Sequence, residues 1–397
     1  MTPLIPVRLT CRFRDDGNGE TQPLKMLCKV SQNILQYMVN MAWKHNVKTR
    51  EQLHKLVYKE LRKLYPNVPA ILIPTLYENA LGTVKSARSN GGGKPTIKKP
   101  FVILHKRMYK LDLEKNIIEV LGFKYSINAG KHAKKFKDGW NSKEVVVCFK
   151  RNSAWFNVVF EKPIEPVKPK TVMGIDLNFK NLALTVLGLK GDVLYQEKVP
   201  FKGLTKASTH KILQEKIKQK FNRSWRFVKG VRKTIRKHGF RQHSRCMAEI
   251  HLVANKIISI AERFQSYLSL ENLKDLRANS ELEKVHLWAY RKQQFVLSYK
   301  ALLKGLKSLP LVSTKGTSSK CPICGRRLKQ RTYEELVCPK HGLMDRDLLA
   351  SWNIAKKGLK LMDKMWGAGS TLKAPKQMQT QEAMKGKVAT SLTEPPL

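Results

Sequence analysis

Three acidic side chains stand where acids are costly. Asp176 lies inside the apolar run Val172-Met173-Gly174-Ile175-Asp176-Leu177. Glu271 ends a second such run, in Ser269-Leu270-Glu271-Asn272-Leu273, and Asp347 opens a helical pattern in Asp345-Arg346-Asp347-Leu348-Leu349-Ala350-Ser351-Trp352-Asn353-Ile354. A carboxylate in apolar surroundings is expensive unless it is paired or bound to metal. Each acid alone has an ordinary explanation: Asp176 as an ion-paired core acid, Glu271 as a solvated strand end, Asp347 as a helix cap offsetting the dipole. Together, acids from two strands and one helix can converge on a pair of Mg²⁺ ions, which favour hard oxygen ligands and substrate phosphate. Two ions about 3.5–4 Å apart clamp the attacking and leaving oxygens of an in-line phosphodiester displacement. Water is then the nucleophile, and no covalent intermediate forms.

A second constellation has metal-ligand spacing. Cys321-Pro322-Ile323-Cys324-Gly325 and Cys338-Pro339-Lys340-His341-Gly342 are two knuckles with 13 residues between Cys324 and Cys338. Two ligands three apart wrap one side of an ion, and the following Gly permits the tight turn. Four protein ligands, Cys321, Cys324, Cys338 and His341, leave no open position, which makes one structural Zn²⁺ the expected occupant. The rival is a redox Cys-x-x-Cys with Cys338 and His341 nearby by accident. Two matched knuckles argue against it.

The elements that must position these residues fall into two patterns. Pro3 to Phe13 alternates as a strand. Three helices follow: about Leu24 to Lys44, one capped by Thr49 with Gln52 and ending near Tyr65-Pro66, and about Pro74 to Ser89, closed by Asn90-Gly91-Gly92-Gly93. From Phe101 to Glu161 the reading is β, with a hairpin turn at Arg151-Asn152-Ser153. This predicts a small β-barrel (1–20 and 95–163) with a helical insertion (21–94). The proline-rich stretch Glu161 to Lys170 is the expected boundary. A mixed α/β domain follows (171–316 and 343–361), carrying the metal ribbon at 317–342. Its strands are expected at Val172 to Ile175, Leu182 to Leu189, Val193 to Val199, Tyr267 to Leu270 and Leu309 to Val312, and its helices at Ile250 to Phe264 and Trp288 to Leu306. Residues 362–397 are polar and punctuated and read as a disordered tail.

Composition narrows the partners. The chain has 397 residues with 76 Lys+Arg against 30 Asp+Glu, a net charge of +46. Such a surplus opposes compaction unless a polyanion neutralises it, which excludes an ordinary enzyme of small neutral substrates. A hydrophobic content of 42% excludes a wholly disordered basic tail. No apolar run approaches the roughly 18–20 residues of a membrane span, and Met1 to Leu9 lacks the features of a secretory signal. The scattered cysteines Cys11, Cys28, Cys148 and Cys246 form no disulfide framework, so a reducing, cytoplasmic setting is expected. Residues Lys206 to Arg245 hold 14 Lys+Arg and one acid, Glu215, so salt bridges cannot screen them. This segment is expected to follow phosphates; Phe227 is read as packing, and Trp225 as either packing or stacking bases. Further basic clusters occur at Lys94 to Lys110 and Lys131 to Lys137.

The order and identity of these motifs resemble a known family. Gly174-Ile175-Asp176-Leu177 with Asn181-Leu182-Ala183, then Leu270-Glu271-Asn272-Leu273, then Thr317-Ser318-Ser319-Lys320 leading into the ribbon, then Asp345-Arg346-Asp347 with Asn353-Ile354, look like the TnpB proteins. Those are transposon-encoded RNA-guided DNA nucleases related to compact type V CRISPR effectors. The motifs cover about Thr171 to Leu359. The resemblance implies an RNase H-like (RuvC) catalytic trio, Asp176, Glu271 and Asp347, holding two Mg²⁺ ions. It also implies wedge and recognition parts at the N-terminus, a guide RNA, and a double-stranded DNA target unwound to single strands, in the prokaryotic cytosol or nucleoid. This sequence departs from the family pattern at Asn178, Leu349, Ser351 and His341, and it lacks the N-terminal Cys cluster often found in the smallest CRISPR relatives. The rival expectations are an RNA-guided DNA-binding regulator without cleavage, a compact type V CRISPR effector, a DNA strand-transfer enzyme and, last, a zinc-ribbon transcription factor.

Overall fold

The computed structural model describes residues 4–17, 20–128, 130–150, 153–276, 278, 280–281 and 283–366. Two units divide the chain, one from Pro6–Pro163 and the other from Ile164 onward. Among the described residues the first unit opens with β1 (Ile5–Asp15), whose alternate residues Val7, Cys11 and Phe13 are buried. Helix α1 (Gln22–Lys44) then buries Leu24, Cys28, Ile34, Leu35 and Met38 along one face. Helix α2 (Arg50–Leu64) starts on the capping box read from the sequence. The Thr49 hydroxyl accepts from the Gln52 N–H at 3.3 Å, and the Gln52 side chain accepts from the Thr49 N–H at 3.3 Å. Helix α3 (Leu72–Ser89) completes the helical insertion.

Six strands follow: β2 (Phe101–His105), β3 (Tyr109–Asp112), β4 (Ile117–Val120), β5 (Phe123–Asn128), β6 (Asn141–Lys150) and β7 (Ser153–Ile164). With β1 they form one sheet in the order β2-β6-β7-β1-β5-β4-β3. The strands at its two ends, β2 and β3, are separated in the chain only by Lys106–Met108. Three residues span little distance, so the sheet curls until its edges nearly meet. The expected barrel is thus a nearly closed sheet. Phe13, Val102, Val147 and Phe156 of the sheet share one core with Leu35, Leu53 and Tyr77 of the helices. Two residues of the expected hairpin turn, 151 and 152, lie outside the described residues.

The second unit is mixed α/β. Strands β8 (Thr171–Leu177), β9 (Asn181–Gly188) and β10 (Val193–Pro200) are followed by the long helices α4 (Gly203–Phe221) and α5 (Lys229–Arg263), and then by β11 (Ser266–Leu270). Helices α6 (Glu283–Leu287) and α7 (Tyr290–Leu303) precede a small sheet of β12 (Lys329–Gln330), β13 (Glu335–Cys338) and β14 (Gly342–Asp345), and α8 (Arg346–Trp366) ends the described chain. The larger sheet runs β10-β9-β8-β11, with β8 and β9 antiparallel and β8 and β11 parallel. One face packs Met173, Ile175, Leu184 and Leu268 against Ile257 of α5 and Leu297 of α7. The other face receives α8, and small residues let it come close. A Cβ on Gly174 would lie 2.1 Å from the Ser351 carbonyl oxygen, and one on Gly358 would lie 2.6 Å from the Ser269 side chain.

Two expectations change. Leu309 to Val312 runs along β11 as isolated bridges rather than as a strand. Leu309 and Val312 donate to the Leu268 and Leu270 carbonyls, but Pro310 between them has no N–H to continue a ladder. Helix α8 also continues past Met362 to Trp366, where the tail was expected to begin. Met362 is buried beside Val172 and Tyr267, which anchors the last turns. Residues 367–397 of that expected tail lie outside the described residues.

Candidate active site and metal centre

The parallel register sets the first two acids side by side. Leu270 lies opposite Ile175, so Glu271 stands level with Asp176 at the ends of neighbouring strands. Strand pleating puts Asp176 on the same face as Gly174, and Glu271 on the same face as Ser269, which is the face covered by α8. Asp347 comes from the first turn of α8. The cap of that helix is Asp345, not Asp347: Asp345 Oδ1 accepts from the N–H groups of Asp347 and Leu348, each at 3.0 Å. The ordinary explanation for Asp347 therefore falls to its neighbour.

Each acid has a short list of partners. Asn178 Nδ2 donates to Asp176 Oδ2 at 2.8 Å, and Asn181 Nδ2 donates to Asp347 Oδ2 at 3.0 Å. The Lys198 ammonium contacts Asp345 and stands 3.7 Å from Asp347 Oδ2. Burial, followed by the nearby charge of Glu271 and then Asp347, lifts Asp176 to about 7, against the hydrogen bond from Asn178. Burial raises Glu271 as well, opposed by a hydrogen bond with Thr317 and the charge of Lys357. Asp176 thus feels both other acids, without cations enough nearby to offset its burial. Oxygen donors that repel one another are the kind of group a divalent cation stabilises, so the three acids are candidates to share one. The donor atoms of the three do not all lie within 4.8 Å of one another, a spacing that among the described residues only the Cys and His group meets. A site for two ions about 3.5–4 Å apart is wider than a site for one.

Cys321, Cys324, Cys338 and His341 are that group. Cys324 Sγ and Cys338 Sγ are 3.6 Å apart, and His341 Nδ1 is 3.5 Å from both Cys321 Sγ and Cys338 Sγ. Those are close to tetrahedron edges for Zn–S near 2.3 Å and Zn–N near 2.0–2.1 Å, so the four can hold zinc. Gly325 and Gly342 both have φ of +73°, the left-handed turn that lets each knuckle fold back. Burial raises the Cys338 thiol, but the N–H groups of Lys340 and His341 and the His341 ring outweigh it and hold it at about 6, where thiolate forms readily. Leu349 of α8 packs into the ribbon core with Cys321, Leu328, Leu336 and Cys338. Asn353 Nδ2 donates to the Thr317 and Lys320 carbonyls at 2.8 and 2.7 Å. One helix therefore carries Asp347, grips the ribbon and steadies the loop that brings Thr317 to Glu271.

Two of the departures from the family pattern acquire reasons here. Leu349 fills the ribbon core. Ser351 is fully buried, and its Oγ lies 2.7 Å from Thr185 Oγ1. Sequence reasoning missed Lys198 and Lys357. Among 76 basic residues nothing in spacing marks either one; only the fold brings them to the acids.

The basic segment 206–245 forms most of the α4–α5 hairpin. Phe227, expected to pack, is 83% exposed at its tip. Phe240 on α5 is likewise exposed. No helix among the described residues is long and apolar enough to cross a membrane.

Comparison with known proteins gives three kinds of match. Residues 290–354, from α7 through the ribbon into α8, match the family model for the Cas12f1-like TNB domain. The chain is 27% identical over 237 residues to TnpB-like protein MJ0751 of Methanocaldococcus jannaschii, covering 57% of this chain and 83% of that protein. A 51-residue stretch is 37% identical to TnpB-like protein MJ0012 of the same organism, covering 13% of this chain and 24% of that protein. Among solved structures, the cryo-EM structure of the Cas12f1-sgRNA-target DNA complex aligns with a TM-score of 0.61 at 16% identity, covering 84% of this chain and 83% of that one. At that identity the likeness is one of fold: a mixed α/β multidomain chain.

Proposed function

We infer that this chain, a member of the TnpB family, is a DNA endonuclease guided by an RNA and dependent on divalent metal. The observation that carries the reading is Asp176: buried, level with Glu271, repelled by it and by Asp347, and set in a protein of charge +46. The matches to TnpB-like proteins and to the fold of a Cas12f1-sgRNA-target DNA complex support the same reading, including its partners, a guide RNA and a target DNA.

In this reading Asp176, Glu271 and Asp347 hold Mg²⁺. Bound there, the metal would supply an activated water and charge neutralisation for a phosphodiester displacement. The chain's own residues prepare the place. Asn178 and Asn181 orient Asp176 and Asp347 through their amide groups. Thr317 lies close enough to Glu271 to oppose its shift, and Lys198 fixes Asp345, whose cap sets the first turn of α8. Zinc on Cys321, Cys324, Cys338 and His341 keeps the ribbon folded beside that helix and has no role in the chemical step. The β8–β11 sheet with its two helical layers is the RNase H-like, RuvC-type domain. The nearly closed sheet with α1–α3 serves as the wedge and recognition part. The protein acts in the cell interior, in association with a mobile element.

The test is cleavage. Purified protein, its guide RNA, matching double-stranded DNA and Mg²⁺ should yield cut DNA, and Asp176→Ala should reduce cutting to background while RNA and DNA binding persist. Undiminished cutting by that variant ends the assignment. Binding without cutting by the unaltered protein would favour a regulator instead.

A further inference from the structure

The tip of the α4–α5 hairpin takes no part in the chemistry above, yet its side chains are arranged as a site. Residues Asn222–Arg226 make a 3₁₀ turn between the helices. With the last turn of α4 they enclose an open cleft of about 430 Å³, lined by Lys218, Gln219, Asn222, Arg223, Trp225 and Arg226. Three cations, two carboxamides and one indole line it, with no acid. Glu215, the one acid of the segment, pairs with Lys218 at 2.9 Å from outside the lining. The Lys218 ammonium and the Arg226 guanidinium lie 5.6 and 5.5 Å from the centre of the Trp225 ring.

Each group has a counterpart in a nucleotide. An indole face stacks any base. Carboxamides present both donors and acceptors, as a base edge does. Guanidinium groups take phosphate oxygens in a planar, two-pronged way. The volume lies in the range of small-ligand sites, roughly 300–1,000 Å³, and suits one nucleotide. A paired base cannot enter, since a duplex keeps its faces stacked and shows only its edges. A neutral protein surface would leave Arg223 and Arg226 unanswered.

We propose that this cleft binds one unpaired nucleotide of RNA, its base stacked on Trp225, its edge met by Gln219 and Asn222, and its phosphates held by Arg223 and Arg226. Phe227, exposed one position beyond the turn, offers a second flat face to the adjoining base. The choice of RNA rests on the guide-RNA reading above. The base takes the place of one cation on the indole and leaves that cation to its own phosphate.

The experiment uses the full-length protein stripped of nucleic acid, with three labelled probes: a stem-loop RNA with an unpaired loop, a blunt RNA duplex, and single-stranded DNA of the loop sequence. Trp225→Leu keeps an apolar side chain but removes the π-face, and Trp225→Phe restores an aromatic one. Trp225→Leu should weaken stem-loop binding about 5- to 150-fold, with Trp225→Phe close to the unaltered protein and duplex binding unchanged in both. Arg223→Gln should weaken stem-loop binding and make its salt slope shallower by about 0.7. Unaltered stem-loop binding by Trp225→Leu, or an equal loss on the duplex, overturns the proposal. So does a larger Trp225→Leu loss on DNA than on stem-loop RNA. If the unaltered protein binds neither RNA, the guide-RNA reading fails too; if it binds both and Trp225→Leu changes nothing, only the cleft assignment fails.

Discussion

Asp345 uses one carboxylate oxygen on the N–H groups of Asp347 and Leu348 and the other on Lys198. Asp347, two residues on, accepts from Asn181 and adds its charge to that around Asp176, so the two acids of one short motif make different contacts. Asp176 itself predicts a dependence on pH. Its carboxyl is lifted from 3.8 to about 7, first by burial and then by Glu271. Between those values the folded protein keeps a proton that the unfolded chain has released, so stability falls as pH rises through that window. Asp176→Asn removes the titration. Without divalent ions the variant should melt a few degrees above the unaltered protein at pH 8, with a smaller gap at pH 5, and Mg²⁺ should narrow the gap at pH 8. Equal melting at both pH values would mean that this carboxylate is not desolvated. The acids were legible in the sequence because Asp176 interrupts an apolar run, Glu271 ends one and Asp347 opens a helical pattern. Lys198 and Lys357 were not, since a lysine near an acid is a fact of tertiary packing and looks in sequence like any other.

Helix α8 meets the sheet through small residues, and this too is testable. Gly174 has no room for a methyl group, its virtual Cβ falling 2.1 Å from the Ser351 carbonyl and 2.3 Å from the Ala355 nitrogen. Backbone cannot swing aside as a side-chain end can, so Gly174→Ala must push α8 away, at a cost of about 1–3 kcal/mol. The melting temperature should drop, and cleavage should fall far more than RNA binding, because Asp347 moves with the helix. A variant that cuts normally would show that the helix tolerates the shift. The ribbon makes a second prediction. One zinc ion per chain is expected by metal analysis, and Cys338→Ser should lose it and expose the amides of 321–345 to hydrogen exchange. Retained zinc in that variant would remove Cys338 from the ligand set. The knuckles and the Thr49–Gln52 box could be read in advance because their partners lie within a few residues. The seat of Leu349 in the ribbon core and the break at Pro310 could not, because each depends on what a distant segment brings alongside.

A chain with 76 basic and 30 acidic residues carries its electrostatics as a property of the whole. If about ten phosphates are neutralised, a log–log plot of RNA affinity against salt should have a slope of about −7 to −9. A slope near −2 would mean that the surplus charge is not spent on phosphate. Which basic residues matter was only half legible: the run from Lys206 to Arg245 stood out by composition, while the exposure of Phe227 depends on its place at the tip of a hairpin. The position of α8 as the last described element has a consequence for biogenesis. A nascent chain emerging from the ribosome completes β8–β11 while Asp347 is still unmade. During that interval the sheet face around Gly174 and Ser269 is bare, and the carboxylate set is short by one. A centre built from all three acids is therefore assembled only when α8 docks on that face.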